Sequence, residues 1–263
     1  MNLFRSLITL VFCLSAGIAF AASKSDLAKE SRWEEQIVPS LLVGEDVKLK
    51  ADGVEFLALY AEPTTEEVHG GMIVLHGIGV HPAWPDVIDP IRMTFPDKGW
   101  HTLSLQMPIL KNEAEDKDYP PLFAEVPGRI QAGVDYLKSK GVNKIVIVGH
   151  SMGVTMANYY LATRPDKSIK AVVSAASGPG IPGDKRADSL ANFKKTKLPY
   201  VDIYGTEDSK RVKDAVEERK KMAGKMKKKD YTVISVPGAN HFYSGKQEEL
   251  IKVIDDWLSK NFK

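Results

Sequence analysis

The stretch Val146-Ile147-Val148-Gly149-His150-Ser151-Met152-Gly153 decides the architecture. A β-branched, apolar run ends in G-x-S-x-G and passes straight into a helix-like stretch over 154–162. In that context a serine sits on a tight strand-to-helix turn, its hydroxyl held above the end of a sheet. Gly149 and Gly153 lack the Cβ atoms that would clash where the two backbones meet at a sharp angle. The pentapeptide is short, so the flanking strand and helix are what make it specific.

Outward from this turn, short apolar strands alternate with helical patterns. Downstream, strands are predicted over 171–175, 200–204 and 231–236, and helices over 154–163, 210–226 and 247–258. The last helix carries Leu250, Ile251, Ile254, Trp257 and Leu258 on one face, with Ser244 and Gln247 spaced as a capping box. Upstream, strands are predicted over 71–75, 100–105 and 144–148. Helices fall over 85–98 and over 129–140, where Ile130, Val134 and Leu137 share a face. Residues 47–50 alternate, Ala51-Asp52-Gly53 turns, and 54–60 runs back as the second strand of a hairpin. A charged, amphipathic leader helix is expected over 25–38, stopping before Pro39. The pattern predicts the α/β class: one domain with a mostly parallel, doubly wound sheet and an N-terminal antiparallel hairpin.

The chain is divided into a signal peptide (1–21), the leader helix (22–45) and an α/β domain (46–263). Residues 2–5 give a positive start, 7–19 are apolar, and Ala19-Phe20-Ala21 reads as a processing site. The apolar run falls short of the ~20 residues that span a bilayer, so export to the periplasm or beyond is expected, without a stable membrane anchor. Cys13, the single cysteine, lies inside this segment, and Val11 and Phe12 before it are too large for a lipoprotein site. A processed chain therefore holds no thiol, which excludes disulfides, a cysteine nucleophile and thiolate metal sites. Lys and Arg number 36 against 34 Asp and Glu, a balance without strong attraction to nucleic acid. The histidines show no metal-ligand spacing, and no metal or cofactor is expected.

A serine hydroxyl is a weak nucleophile at neutral pH and needs a base, an orienter for that base and donors for an oxyanion. After Ser151 there is one histidine, His241, in a loop between the last predicted strand and the last helix. The acid belongs in the loop Gly205-Thr206-Glu207-Asp208, where Asp208 is chosen and adjacent Glu207 remains an alternative. The Met152 N–H opens the helix and serves as one oxyanion donor. The Ile78 N–H, in the glycine-containing loop His76-Gly77-Ile78-Gly79, serves as the second, with His76 bracing that loop. His81 and Trp84 are candidates to line the acyl pocket, with local packing as the other reading.

These segments in this order (His76-Gly77, 149–153, 205–208 and Asn240-His241) resemble the α/β-hydrolase superfamily. The residues His81-Pro82-Ala83-Trp84-Pro85 and Gly99-Trp100 also resemble an uncharacterised family of exported bacterial α/β-hydrolase-like proteins. The resemblance implies a serine hydrolase with the triad Ser151, His241 and Asp208, acting on carboxylic esters or related small acyl substrates through an acyl-enzyme. Only 177–198 fills the interval where the superfamily often inserts a cap, so an open site, or one covered by the 111–123 loop, is expected. Two alternatives stand: a non-catalytic envelope binding or assembly protein on this scaffold, and a peptidase or acyltransferase using the same triad.

Overall fold

The computed structural model describes residues 24–181 and 183–262. The expected signal segment, with Cys13 and the processing site, lies outside the described residues. Eight strands form one sheet: β1 (Glu45–Ala51), β2 (Val54–Ala61), β3 (Gly70–Leu75), β4 (Trp100–Leu105), β5 (Ile145–His150), β6 (Ile169–Ala175), β7 (Tyr200–Gly205) and β8 (Tyr231–Val236). Their order is β1-β2-β4-β3-β5-β6-β7-β8. The β1–β2 and β2–β4 pairs are antiparallel and every later pair is parallel.

Central parallel strands are covered on both faces, which is why they read as unbroken apolar runs. Met72, Val74, Val146, Val148 and Val173 face one layer, while Ile73, Leu75, Ile147 and Val172 face the other. The first layer is built by α2 (Ile88–Thr94) and α7 (Gln247–Phe262). The second holds α3 (Val126–Ser139), α4 (Met152–Thr163), α5 (Ser189–Phe193) and α6 (Lys210–Lys225). Leu250, Ile254 and Leu258 of α7 are buried, each contributing about 2 kcal/mol. A further helix, α1 (Leu27–Ile37), lies on the antiparallel end, with Ile37 against Leu57 and Leu59 of β2.

Several expected boundaries move for physical reasons. The helix expected over 85–98 is α-helical only from Ile88 to Thr94 and continues as a 3-10 turn over Phe95–Lys98. Pro96 has no N–H to offer the Arg92 carbonyl, which accepts the Thr102 hydroxyl at 2.8 Å instead. Helix α3 starts at Val126 rather than 129, because Pro127 costs no hydrogen bond in a first turn. The capping box does not form as expected. Helix α7 begins at Gln247, Lys246 offers its carbonyl to Leu250, and the Ser244 N–H is held by Asn240 Oδ1. The short α5, capped by Asp188, was not expected; the interval it occupies carries no helical cap domain.

Strand order reverses around β3, whose neighbours are β4 on one side and β5 on the other. Such a reversal opens a crevice at the carboxyl ends of the strands. The loops carrying His76 and Ser151 leave from there.

Candidate active site

Ser151 occupies the turn between β5 and α4 at φ 52°, ψ −117°, a costly conformation for a residue with a side chain. Its surroundings impose it. The Ser151 N–H donates to Ala175 O at 2.9 Å, and α4 starts one residue later, pressed onto the end of β3. A Cβ on Gly153 would stand 2.3 Å from the Leu75 carbonyl oxygen and 2.7 Å from that of His76, so only glycine allows this approach.

Two further loops bring the partners. After β7 the chain passes so close to the 239–241 loop that a Cβ on Gly205 would lie 2.1 Å from Ala239 O. The Glu207 N–H seals that contact by donating to Ala239 O at 3.0 Å. Beyond His241, Asn240 Oδ1 accepts the Phe242 and Ser244 N–H groups, and the buried Tyr243 hydroxyl donates to Ile203 O at 2.9 Å.

The three side chains form a hydrogen-bonded chain. Ser151 Oγ lies 3.1 Å from His241 Nε2, and His241 Nδ1 lies 3.0 and 3.2 Å from the two Asp208 oxygens. A carboxylate only accepts, so Nδ1 carries the proton and Nε2 turns its lone pair to the serine hydroxyl. Asp208 is buried and also accepts the Ser209 N–H at 2.6 Å. Glu207 is exposed, and Asp208 is the acid that touches His241.

The loop after β3 lies alongside. A Cβ on Gly77 would be 3.3 Å from Ser151 Cβ. His76 is buried; its Nε2 accepts the Met107 N–H at 2.9 Å, so Nδ1 is the protonated nitrogen and donates to Gly77 O at 2.8 Å. Burial pushes its pKa down to about 3, which keeps the ring neutral. Met152 opens α4, where the first N–H groups have no acceptor inside the helix. Met152 and Ile78 border the same cavity as Ser151 and His241.

One residue escaped the sequence reading. His150, the variable position before the serine, is buried; its Nε2 donates to the His241 carbonyl at 2.9 Å, and its ring lies 5.2 Å from the His241 imidazole. Burial pushes its pKa down to about 4, so it adds no charge beside His241. No local signal marks it, because its partner lies in a loop distant in sequence.

The cavity measures about 480 Å³ and is also lined by Thr155 and Val212. Arg211 Nη1 pairs with Asp116 at 2.8 Å and Nη2 donates to Gly180 O at 2.7 Å, so the 111–123 loop supplies part of the wall. His81 and Trp84, candidates for this lining, are elsewhere. His81 packs edge-on against Trp33 of α1 (5.2 Å) and Trp84 (5.4 Å), and Trp84 joins the core beside α2. The His81 ring thus packs between α1 and Trp84. A larger groove of about 670 Å³ beside α6 is lined by Lys, Asp, Glu and Met side chains and holds no nucleophile–base pair. Among the described residues no three His, Cys, Asp or Glu gather as a metal site, and no helix is long and apolar enough to cross a membrane.

A family model described as "Protein of unknown function (DUF3530)" matches residues 19–121 and 110–260. The chain belongs to this family. No curated protein matches the sequence. Solved structures show the α/β-hydrolase fold. Est1E from Butyrivibrio proteoclasticus, in a structure with ferulic acid bound, is 18% identical, with 81% of this chain and 98% of that one covered at a TM-score of 0.65. A dienelactone hydrolase from Anabaena variabilis is 18% identical, with coverage of 83% and 97% and a TM-score of 0.63. A Pyrococcus furiosus esterase is 17% identical, with coverage of 83% and 91% and a TM-score of 0.66.

Proposed function

We propose that the protein is an exported serine hydrolase that cleaves carboxylic esters through an acyl-enzyme, with Ser151, His241 and Asp208 as its triad. The observation carrying this reading is the continuous bond chain from Asp208 through His241 to a serine hydroxyl at the mouth of a cavity. Export rests on the sequence of residues 1–21.

As Ser151 Oγ bonds to the ester carbon, its proton passes to His241 Nε2, and Asp208 stabilises the imidazolium and fixes its orientation. The carbonyl oxygen becomes an oxyanion that accepts from the Met152 and Ile78 N–H groups, each donor contributing about 3 kcal/mol. Collapse breaks the bond to the alcohol, which leaves with the proton from Nε2. Water then gives a proton to His241, attacks the acyl carbon and releases the acid, and Oγ recovers its proton.

A cavity of this size suits a small ester, and the strap from Asp116 to Arg211 and Gly180 bounds it. The ferulic acid held by Est1E makes aryl acyl esters worth including. The test is a panel of p-nitrophenyl acetate, butyrate and octanoate with methyl ferulate, on wild type and Ser151→Ala. Turnover of the short esters, lost roughly a thousandfold or more in the variant, is expected. A wild type that turns over none, or a variant that keeps its activity, overturns the reading.

A further inference from the structure

Helix α1 lies outside the crevice, yet a buried path of bonds joins it to the loop beside Ser151. Glu30 on α1 accepts both terminal nitrogens of Arg129 on α3, at 2.8 and 3.0 Å. Both side chains are nearly inaccessible to solvent. Arg129 Nη1 also donates to the Gln106 carbonyl at 2.9 Å. The next peptide N–H, of Met107, donates to His76 Nε2, and the Gln106 side-chain amide lies 3.2 Å from the same nitrogen. His76 in turn grips Gly77 O, and Gly77 packs on Ser151.

The segment 106–110 is thus held between two anchors. On the inner side stands His76. On the outer side, Lys29 Nζ donates to Leu110 O at 2.9 Å, the Asp26 N–H to Ile109 O at 2.8 Å, and the Ile109 N–H to Ser25 Oγ at 2.8 Å. Ser25 is hydrogen-bonded to Glu30, which closes the outer set. A carboxylate carried this far from water costs free energy unless paired on several sides, and burial does push the Glu30 carboxyl upward while Arg129 opposes the shift. A merely adhesive helix is served by apolar contacts such as Ile37 on Leu57; this pair adds direction, because one guanidinium joins α1 to the backbone that sets the His76 ring.

We propose that Glu30 is a positioning residue for the hydrolytic reaction: through Arg129 and the Gln106–Met107 peptide it fixes His76, and so the Gly77–Ile78 backbone whose N–H receives the oxyanion. This rests on the serine-hydrolase reading above. The leader helix is then a working part of the site, because donors misplaced by a fraction of an ångström lose much of their effect on a transition state.

The test compares Glu30→Gln with Ile37→Ala, which loosens the same helix at its far end. Each is assayed for kcat and KM on a short p-nitrophenyl ester and for inhibition by a boronic acid, which forms a tetrahedral adduct on a reactive serine. Glu30→Gln is expected to lower kcat roughly tenfold or more, to leave KM within about twofold, and to weaken boronate inhibition by the same factor as kcat/KM. Ile37→Ala is expected to keep wild-type kcat despite a lowered melting temperature. An active wild type whose Glu30→Gln variant matches it overturns this proposal alone, as does an equal loss of kcat in both variants. A wild type without esterase activity overturns the hydrolase reading and this proposal with it.

Discussion

At the residue scale the site turns on which carboxylate meets the imidazole. Asp208 is the choice in the sequence and Glu207 its alternative, both following a strand in the stretch where an acid is required. The backbone separates them. The Glu207 N–H is spent on Ala239, which turns its side chain outward and leaves Asp208 buried against His241 Nδ1. Asp208→Asn is therefore expected to lower kcat by roughly three to four orders of magnitude, since an amide can donate to Nδ1 and favour the wrong tautomer. Glu207→Gln should stay within about twofold of wild type. Steady-state rates on one short ester check both; the reverse ranking would transfer the role to Glu207. His150 shows what a residue-by-residue reading misses. Its bond to the His241 carbonyl joins positions 91 residues apart, and no local spacing announces it.

At the scale of elements, the strands and the serine turn were legible because their signals are local: β-branched apolar runs, and glycines where backbones converge. Gly153 makes the point testable. A Cβ there would meet two backbone oxygens of the β3 end, neither of which can move without shifting the sheet. Gly153→Ala is expected to lower the melting temperature by a loss of about 1–3 kcal/mol and to cost more activity than the loss of folded protein explains, because the β3–α4 approach sets the start of α4, where Ser151 and Met152 border the cavity. Thermal melts with active-site titration check this; an unchanged melt would contradict the steric account. What the sequence hid was weaker or non-local. Helix α5 spans only Ser189–Phe193, too short for a 3.6-residue period to show. Pro96 divides a stretch whose apolar pattern continues across it. For His81 and Trp84 the sequence leaves pocket lining and local packing open; packing is what the structure shows, with Trp33, nearly fifty positions earlier in the sequence, against the His81 ring.

At the scale of the whole molecule, the site is braced by neutral histidines buried in the core. Burial pushes the His76 pKa down to about 3 and that of His150 down to about 4, against about 6.5 in an unfolded chain. Between those values the unfolded chain binds protons that the folded chain does not, so the stability these residues contribute is full above pH 6.5 and declines as the pH falls toward 4. At pH 5 the two histidines give a slope of about 1.4 kcal/mol per pH unit for each proton taken up. Urea melts at pH 7.5, 6 and 5 should show a falling midpoint; a constant midpoint would mean that the two rings are not held neutral. The central claim concerns the serine that the same core presents to the cavity. Its most direct test is a fluorophosphonate added to the intact protein, with the adduct read by mass and mapped to a peptide. The account predicts one adduct per chain, carried by Ser151 and absent from Ser151→Ala. No adduct on the wild type, or one on a different residue, would contradict it.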